Sequence, residues 1–179
     1  AVVACGRPAS DIAAIAAPAH GDGLYLLDQS ARPLGPGILS LDSRAGALAE
    51  SWATDGTADL ALSRTGQMPH ASAPSAILGW IRDNDPDRFA RIGHVLACKD
   101  WLTYCLTGRI GTDLTEASTS FTDVGTQGFA PDILPIFGLP ALEQALPQIA
   151  LPDQIVGQVT EAAARITGLR AGTPVVAGL

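Results

Sequence analysis

An α/β fold is predicted by three features of the sequence. Apolar runs of strand length alternate with stretches whose apolar residues recur at helical spacing. Candidate helix ends carry their own punctuation, such as Pro86 at a first turn and Gly108 and Gly168 at stops. Finally, within residues 92–123 a strand, a helix, a glycine stop and a second capped helix start follow one another in about two dozen residues, an arrangement from which ligand sites in α/β proteins are often built.

Taken in order, residues 11–17 (DIAAIAA) form a short apolar run bounded by Asp and Pro, which predicts a buried strand despite the weak strand propensity of alanine. That strand delivers the loop 17–23, APAHGDG. Residues 24–27 make a second strand, and a turn-rich link containing Pro33, Gly35, Pro36 and Gly37 leads to a third at 38–41. A helix is expected over 44–54 with Ala45, Leu48, Ala49 and Trp52 on one face, then another over 58–64. Residues 66–74 are a loop. Residues 75–82 are helical with Ile77, Leu78 and Ile81 inward, and a short helix covers 87–91. The compressed segment follows: strand 94–97, then a helix entered through Lys99-Asp100 with Trp101, Leu102, Cys105 and Leu106 as its apolar stripe, then Thr112 and Asp113 as caps for a helix at 114–119. Beyond residue 123, repeated prolines and small apolar clusters predict single helical turns packed over the sheet. A strand at 154–160, a helix at 161–167 ended by Gly168, and a last strand at 173–177 complete the chain.

The 179 residues suit one domain, and 47% hydrophobic content is enough for a core of normal size. A formal net charge of -7 with no Lys/Arg cluster argues against nucleic acid or an anionic membrane as partner, and a small neutral ligand fits better. The opening AVVACGRPAS is interrupted too soon for a signal peptide or a span. Cys5, Cys98 and Cys105 lack metal spacing and point to a reducing, cytoplasmic setting. The chain opens on what looks like the end of a helix and stops on Gly178-Leu179 straight after an apolar run, so both ends are expected to be cuts.

Several constellations can carry chemistry, each beside a simpler alternative. In His20-Gly21-Asp22-Gly23 the glycines admit close backbone approach, and the imidazole and carboxylate suit sugar hydroxyls; a glycine-rich turn is the alternative. Asp42 and Arg44 stand two residues apart after a strand, placed either to reach a ligand or to pair with each other. Asp100 near a helix start and Asp113 as a cap are both explained by helix ends alone. His70 and His94 are isolated, and no metal site is expected. A hydrolase oxyanion loop would need Gly-x-Ser-x-Gly, which the sequence does not contain.

As an ordered set these pieces resemble the FGGY carbohydrate kinases. The residues concerned are 11–28, the Gly-Ile-Leu-Ser-Leu-Asp-Ser-Arg of 37–44, 76–85 with Trp80, Lys99-Asp100-Trp101-Leu102, Thr107-Gly108, Thr112-Asp113, Ala117-Ser118 and the terminal 173–178. The His20-Gly21 loop and the Ile-Leu-Ser before Asp42 are most similar to kinases of L-xylulose, 3-keto-L-gulonate and related keto sugars or sugar acids. Ser40 stands where many members carry Trp, Ile77 where many carry Lys, and Leu114 where glycerol kinases place Tyr. The resemblance implies a partial ribonuclease-H-like, actin-like ATPase domain, with a mixed sheet flanked by helices, spanning 1–179.

It further implies ATP-dependent phosphorylation of a ketose, sugar acid or polyol, with magnesium. His20, Gly21, Asp22, Asp42, Arg44 and Asp113 would contribute to the sugar site. The family's first phosphate-binding hairpin would lie before Ala1, its general-base Asp beyond Leu179, and its second domain further on. The chain alone is therefore expected to bind neither ATP nor magnesium and to be inactive. A non-catalytic sugar-binding or interaction module is the alternative. With the hairpin missing, the 11–17 strand would expose an edge and promote self-association.

Overall fold

The computed structural model describes residues 6–178. The expected helix end at the start of the chain lies outside them. Among the described residues three two-stranded ladders form the strand framework, and helices gather around them. β1 (Tyr25–Leu27) pairs antiparallel with β2 (His94–Leu96), aligning Tyr25 with Leu96 and Leu27 with His94. β3 (Thr112–Asp113) and β4 (Ile149–Ala150) pair in parallel. β5 (Ile155–Gln158) and β6 (Pro174–Val176) are antiparallel, with an irregularity between Ile155 and Gly157. Both pairing directions are therefore present.

Two expected strands are much reduced. Residues 11–17 are not a buried strand. A 3₁₀ turn covers Ala9–Asp11, and beyond it, among the described residues, only Ile15 bridges, in parallel, to Val175 through Ile15 N–H to Pro174 O and Val176 N–H to Ile15 O, both at 2.9 Å. Its alanines pack weakly on a pleated surface, and the stretch is exposed or half-exposed throughout. Residues 38–41 contribute a single bridge, Ile38 to Leu24, before turning; Leu39 and Leu41 are exposed.

The helices follow their sequence signals more closely. α1 (Gly46–Asp55) and α2 (Thr57–Thr65) are separated by Gly56 in a left-handed conformation, and α1 presents Trp52 to the core. α3 (Pro74–Asn84) starts at a proline and buries Ile77, Leu78 and Ile81 completely. α4 (Pro86–Phe89) is capped by Asp85, whose carboxylate accepts the Arg88 N–H at 3.2 Å. α5 (Cys98–Thr107) stops at left-handed Gly108, as expected. Its buried face is not the expected apolar stripe: Lys99, Asp100 and Thr103 are buried, while Leu102 and Cys105 are exposed and Trp101 is half-exposed beside Tyr25 and Tyr104. Polar residues take the inside because they have partners there.

α6 (Leu114–Ala117), α7 (Ile133–Ile136) and a 3₁₀ segment (Pro140–Ala145) supply the short turns expected after the compressed segment. α8 (Glu161–Thr167) is capped by Thr160, whose hydroxyl accepts the Ala163 N–H at 3.2 Å, and ends at Gly168. The main core joins Leu24, Leu26 and Val95 of the β1–β2 region to Ile77, Ile81, Phe121 and Phe137. A smaller cluster of Val159, Ala163 and Val175 packs with Ile15, Leu106 and Leu169. Among the described residues no helix is long and apolar enough to cross a membrane.

Candidate sugar site

β2 ends on Leu96, and Ala97 continues in an extended conformation before α5 begins. The Asp100 carboxylate turns back to accept the Ala97 N–H at 3.1 Å; this satisfies one free amide of the helix start, while Ala97 has no side-chain acceptor to return the favour. Lys99 points the same way. Its Nζ lies 2.7 Å from Asp100 Oδ1 and 2.8 Å from Asp113 Oδ1, and it also faces Ala177 O at 3.4 Å. Lys99, Asp100 and Asp113 are 6%, 3% and 0% exposed. Burial alone would push the Lys99 ammonium down in pKa, but the charges and hydrogen bonds of Asp100 and Asp113 outweigh it and hold the group above its ordinary value.

Asp113 has a second duty. It leaves β3 in an extended conformation, and its Oδ1 accepts the Glu116 N–H at 3.0 Å, capping α6 as the sequence predicted. Its Oδ2 is buried with no hydrogen-bond partner among the described residues. Gly178 lies so close to that oxygen that any Cβ there would collide with it. The buried triad therefore locks α5, β3 and the end of β6 together.

One turn into α6, Glu116 reaches the same neighbourhood. Its Oε1 is buried and unpartnered among the described residues. Burial chiefly, with the charge of Asp100 next, pushes its carboxyl up to about 7; Lys99 opposes this, and Asp113 and Asp22 add to it. Glu116 and Asp100 line a small solvent-connected cleft together with Gly23, Ala97, Thr112 and Thr119, over an apolar wall that includes Phe121 and Phe129.

The 20–23 loop reaches this cleft through Gly23, which lines it. Gly23 has a left-handed φ of 77°, and a Cβ there would approach Ile38 O to 2.7 Å, so the loop can lie against residues 38–40 only with glycine at this position. Asp22 is also left-handed (φ 58°), and His70 Nε2 is 3.7 Å from its Oδ2. Gly21 has open space where a side chain would stand, and exposed His20 lies beside Gly23, its ring nitrogen Nδ1 3.4 Å from the neighbouring Gly21 O.

Of the residues singled out by sequence, the structure thus gathers Gly23 and Asp113, with Asp22 felt electrostatically, around one centre, and leaves His20 and Gly21 on the outside of the loop. Asp42 and Arg44 pair with each other: Arg44 Nε and Nη2 donate to the two Asp42 oxygens at 2.8 Å each, and the guanidinium stacks 5.0 Å above the Trp80 ring. The Arg44 hydrogen bonds hold the Asp42 carboxyl below the usual carboxylate range. Lys99 and Glu116 were not singled out as site residues. A lysine beside an aspartate at a helix start, with Thr-Asp downstream, was the available signal for Lys99; Glu116 had none, because its isolation is created by three separate segments.

Comparison with known proteins agrees with this architecture. Residues 4–179 match the N-terminal domain of the FGGY family of carbohydrate kinases. The chain is 38% identical over 162 residues to a probable L-xylulose kinase of Pasteurella multocida, which covers 90% of the chain and 34% of that protein. It is 35% identical over 175 residues to the L-xylulose/3-keto-L-gulonate kinase of Escherichia coli, covering 97% and 35% respectively. The chain thus spans about a third of the length of these relatives. The crystal structure of xylulose kinase from Rhodospirillum rubrum superposes with a TM-score of 0.85 at 27% identity, over 93% of the chain and 35% of that structure. The actin-like ATPase architecture is shared, and the chain belongs to the FGGY family of carbohydrate kinases, whose N-terminal domain it matches.

Proposed function

We propose that this chain is most of the N-terminal domain of a longer ATP-dependent sugar kinase and supplies part of its sugar site, for a ketose, sugar acid or polyol. The observation that carries the reading is the cleft between the 20–23 loop and α6. It offers carboxylate acceptors on one side, open glycine backbone on the other and an apolar floor, a combination suited to a small polyhydroxylated ligand. His20, Gly21 and Asp22 form the rim that meets sugar hydroxyls. Asp113 holds the wall from behind through Lys99, and the Asp42–Arg44 pair braces the segment beside the loop.

ATP with magnesium would supply the γ-phosphoryl group in such a kinase. The groups present here do not fit a nucleotide: the carboxylates of Asp100 and Glu116 line the cleft, the nearby Lys99 ammonium is already paired with Asp100 and Asp113, and among the described residues no three side chains are grouped to hold a metal. Phosphate binding and the general base are accordingly assigned to parts of the kinase outside this chain. What these residues do is bind and orient the sugar and keep water from its apolar side. The test is a coupled ADP-release assay on the full-length protein with a panel of ketoses, sugar acids and polyols. Sugar-dependent release is expected, and release that ignores every sugar overturns the proposal.

A further inference from the structure

The charges around the cleft do not balance. Lys99 is matched by Asp100 and Asp113 at 2.7 and 2.8 Å, one cation against two anions. Glu116 and Asp22 come in addition, and they sense each other: the charge of Asp22 is among the influences raising the Glu116 carboxyl. Arg44 cannot compensate, because both oxygens of Asp42 occupy it. His70, with an exposed side chain, stands 3.7 Å from Asp22, and the hydrogen bond of His20 stays within its own loop. Meanwhile Glu116 Oε1 has been taken out of water without a partner among the described residues, a deficit that a ligand hydroxyl would remove.

On the reading that this cleft takes the sugar, we propose that Asp22 and Glu116 make it select uncharged ketoses and polyols and reject sugar acids, with Glu116 the main specificity-determining residue. A hydroxyl donates to a carboxylate and accepts from a carboxylic acid, so a neutral sugar suits either form of Glu116. A ligand carboxylate at about 8 Å from an uncompensated carboxylate is disfavoured by about tenfold per charge at an effective dielectric of 20 to 40. Glu116 changes form near neutrality, so the discrimination depends on pH. The groups facing it are Lys99 and Asp100 from α5, Asp113 from β3 and Asp22 from the loop, with His70 behind Asp22.

The experiment compares kcat/KM for L-xylulose and for 3-keto-L-gulonate, which carries a carboxylate, using the full-length kinase between pH 6 and 8. The wild type is expected to favour L-xylulose, increasingly as pH rises through 7, chiefly through KM for the acid. Glu116→Gln should narrow the preference by about tenfold and abolish its pH dependence. Asp22→Asn, at a half-buried position where asparagine tolerates a left-handed backbone, should narrow the preference and keep the pH dependence. His70→Asn should leave the inflection in place. Equal use of both sugars by the wild type, or an unchanged preference in both the Glu116 and Asp22 variants, overturns the proposal; should Glu116→Gln fail to fold, the Asp22 variant decides alone. Turnover of neither sugar, nor of any other, overturns the kinase reading and this proposal with it.

Discussion

Replacing Lys99 by methionine keeps the length and apolar stem of the side chain and removes only its charge. In the native chain Nζ sits 2.7 Å from one carboxylate and 2.8 Å from another, and the three residues are at most 6% exposed. At an effective dielectric near 20, each contact is a gross attraction of about 6 kcal/mol, most of it offset by the cost of dehydrating three ions. Without the lysine, two carboxylates remain buried side by side, and breaking such an arrangement costs about 3 to 5 kcal/mol. That is a large part of the roughly 5 to 15 kcal/mol that holds a domain folded. The carboxylates would respond by taking up a proton, so their folded pKa values would rise above the unfolded ones. The variant should then be most stable in acid and lose stability as pH climbs from about 4 through those raised values. Adding Asp113→Asn should recover much of the loss, since asparagine caps a helix as well as aspartate does. Urea unfolding followed by circular dichroism at pH 5 and pH 7 measures all of this. A loss under about 1 kcal/mol at pH 7, or no recovery in the double variant, would refute the view that the triad holds α5, β3 and β6 together.

Glu116 gives a second pH signature: its folded carboxyl titrates near 7 against an ordinary 4.5, so it favours folding below pH 4.5 and that contribution fades by up to about 3 kcal/mol as pH rises through 7. Glu116→Gln should flatten this slope, and parallel stability curves for the two proteins would count against it. His20→Ala in the full-length kinase should weaken sugar use by about 1 to 3 kcal/mol with hardly any change in melting temperature, because His20 is exposed and its hydrogen bond stays within its loop; unaltered kinetics would remove it from the site. Gly23→Ala, forced into a left-handed conformation against Ile38 O, should cost about 1 to 3 kcal/mol by thermal or urea unfolding, and a neutral result would show that the loop relaxes freely. The Ile15 segment is bridged to β6 on one side only among the described residues, so the 179-residue chain should associate with rising concentration; a monodisperse monomer by light scattering at high concentration would contradict this.

How legible each part was in the sequence follows from how local its cause is. α8 was readable to the residue because Thr160 and Gly168 fix its ends through contacts within one turn. Ile77, Leu78 and Ile81 announced the inner face of α3 for the same reason. The strands at 11–17 and 38–41 were overestimated, since an apolar run shows burial only if a neighbour covers it, and among the described residues each has a single bridge. α5 defeated periodicity altogether. Its inner face is a lysine and an aspartate, and what permits their burial is Asp113, a dozen residues further along the chain. The Asp42–Arg44 spacing allowed a ligand or a local pair, and only in the folded chain is it seen that both oxygens are taken. Glu116 was least visible: its isolation needs the 20–23 loop, α5 and α6 to converge, which nothing at residues 112–116 records.

The most direct test of the account is where a sugar touches the chain. Titrating the isotope-labelled 179-residue chain with L-xylulose and following backbone amide signals would show it residue by residue. Perturbations concentrated at Gly21, Asp22, Gly23, Ala97, Glu116 and Thr119, the loop and the wall of the cleft, are predicted. A folded chain whose signals do not move, or move only around β5 and α8 at the far cluster, would contradict the assignment of the sugar to this cleft.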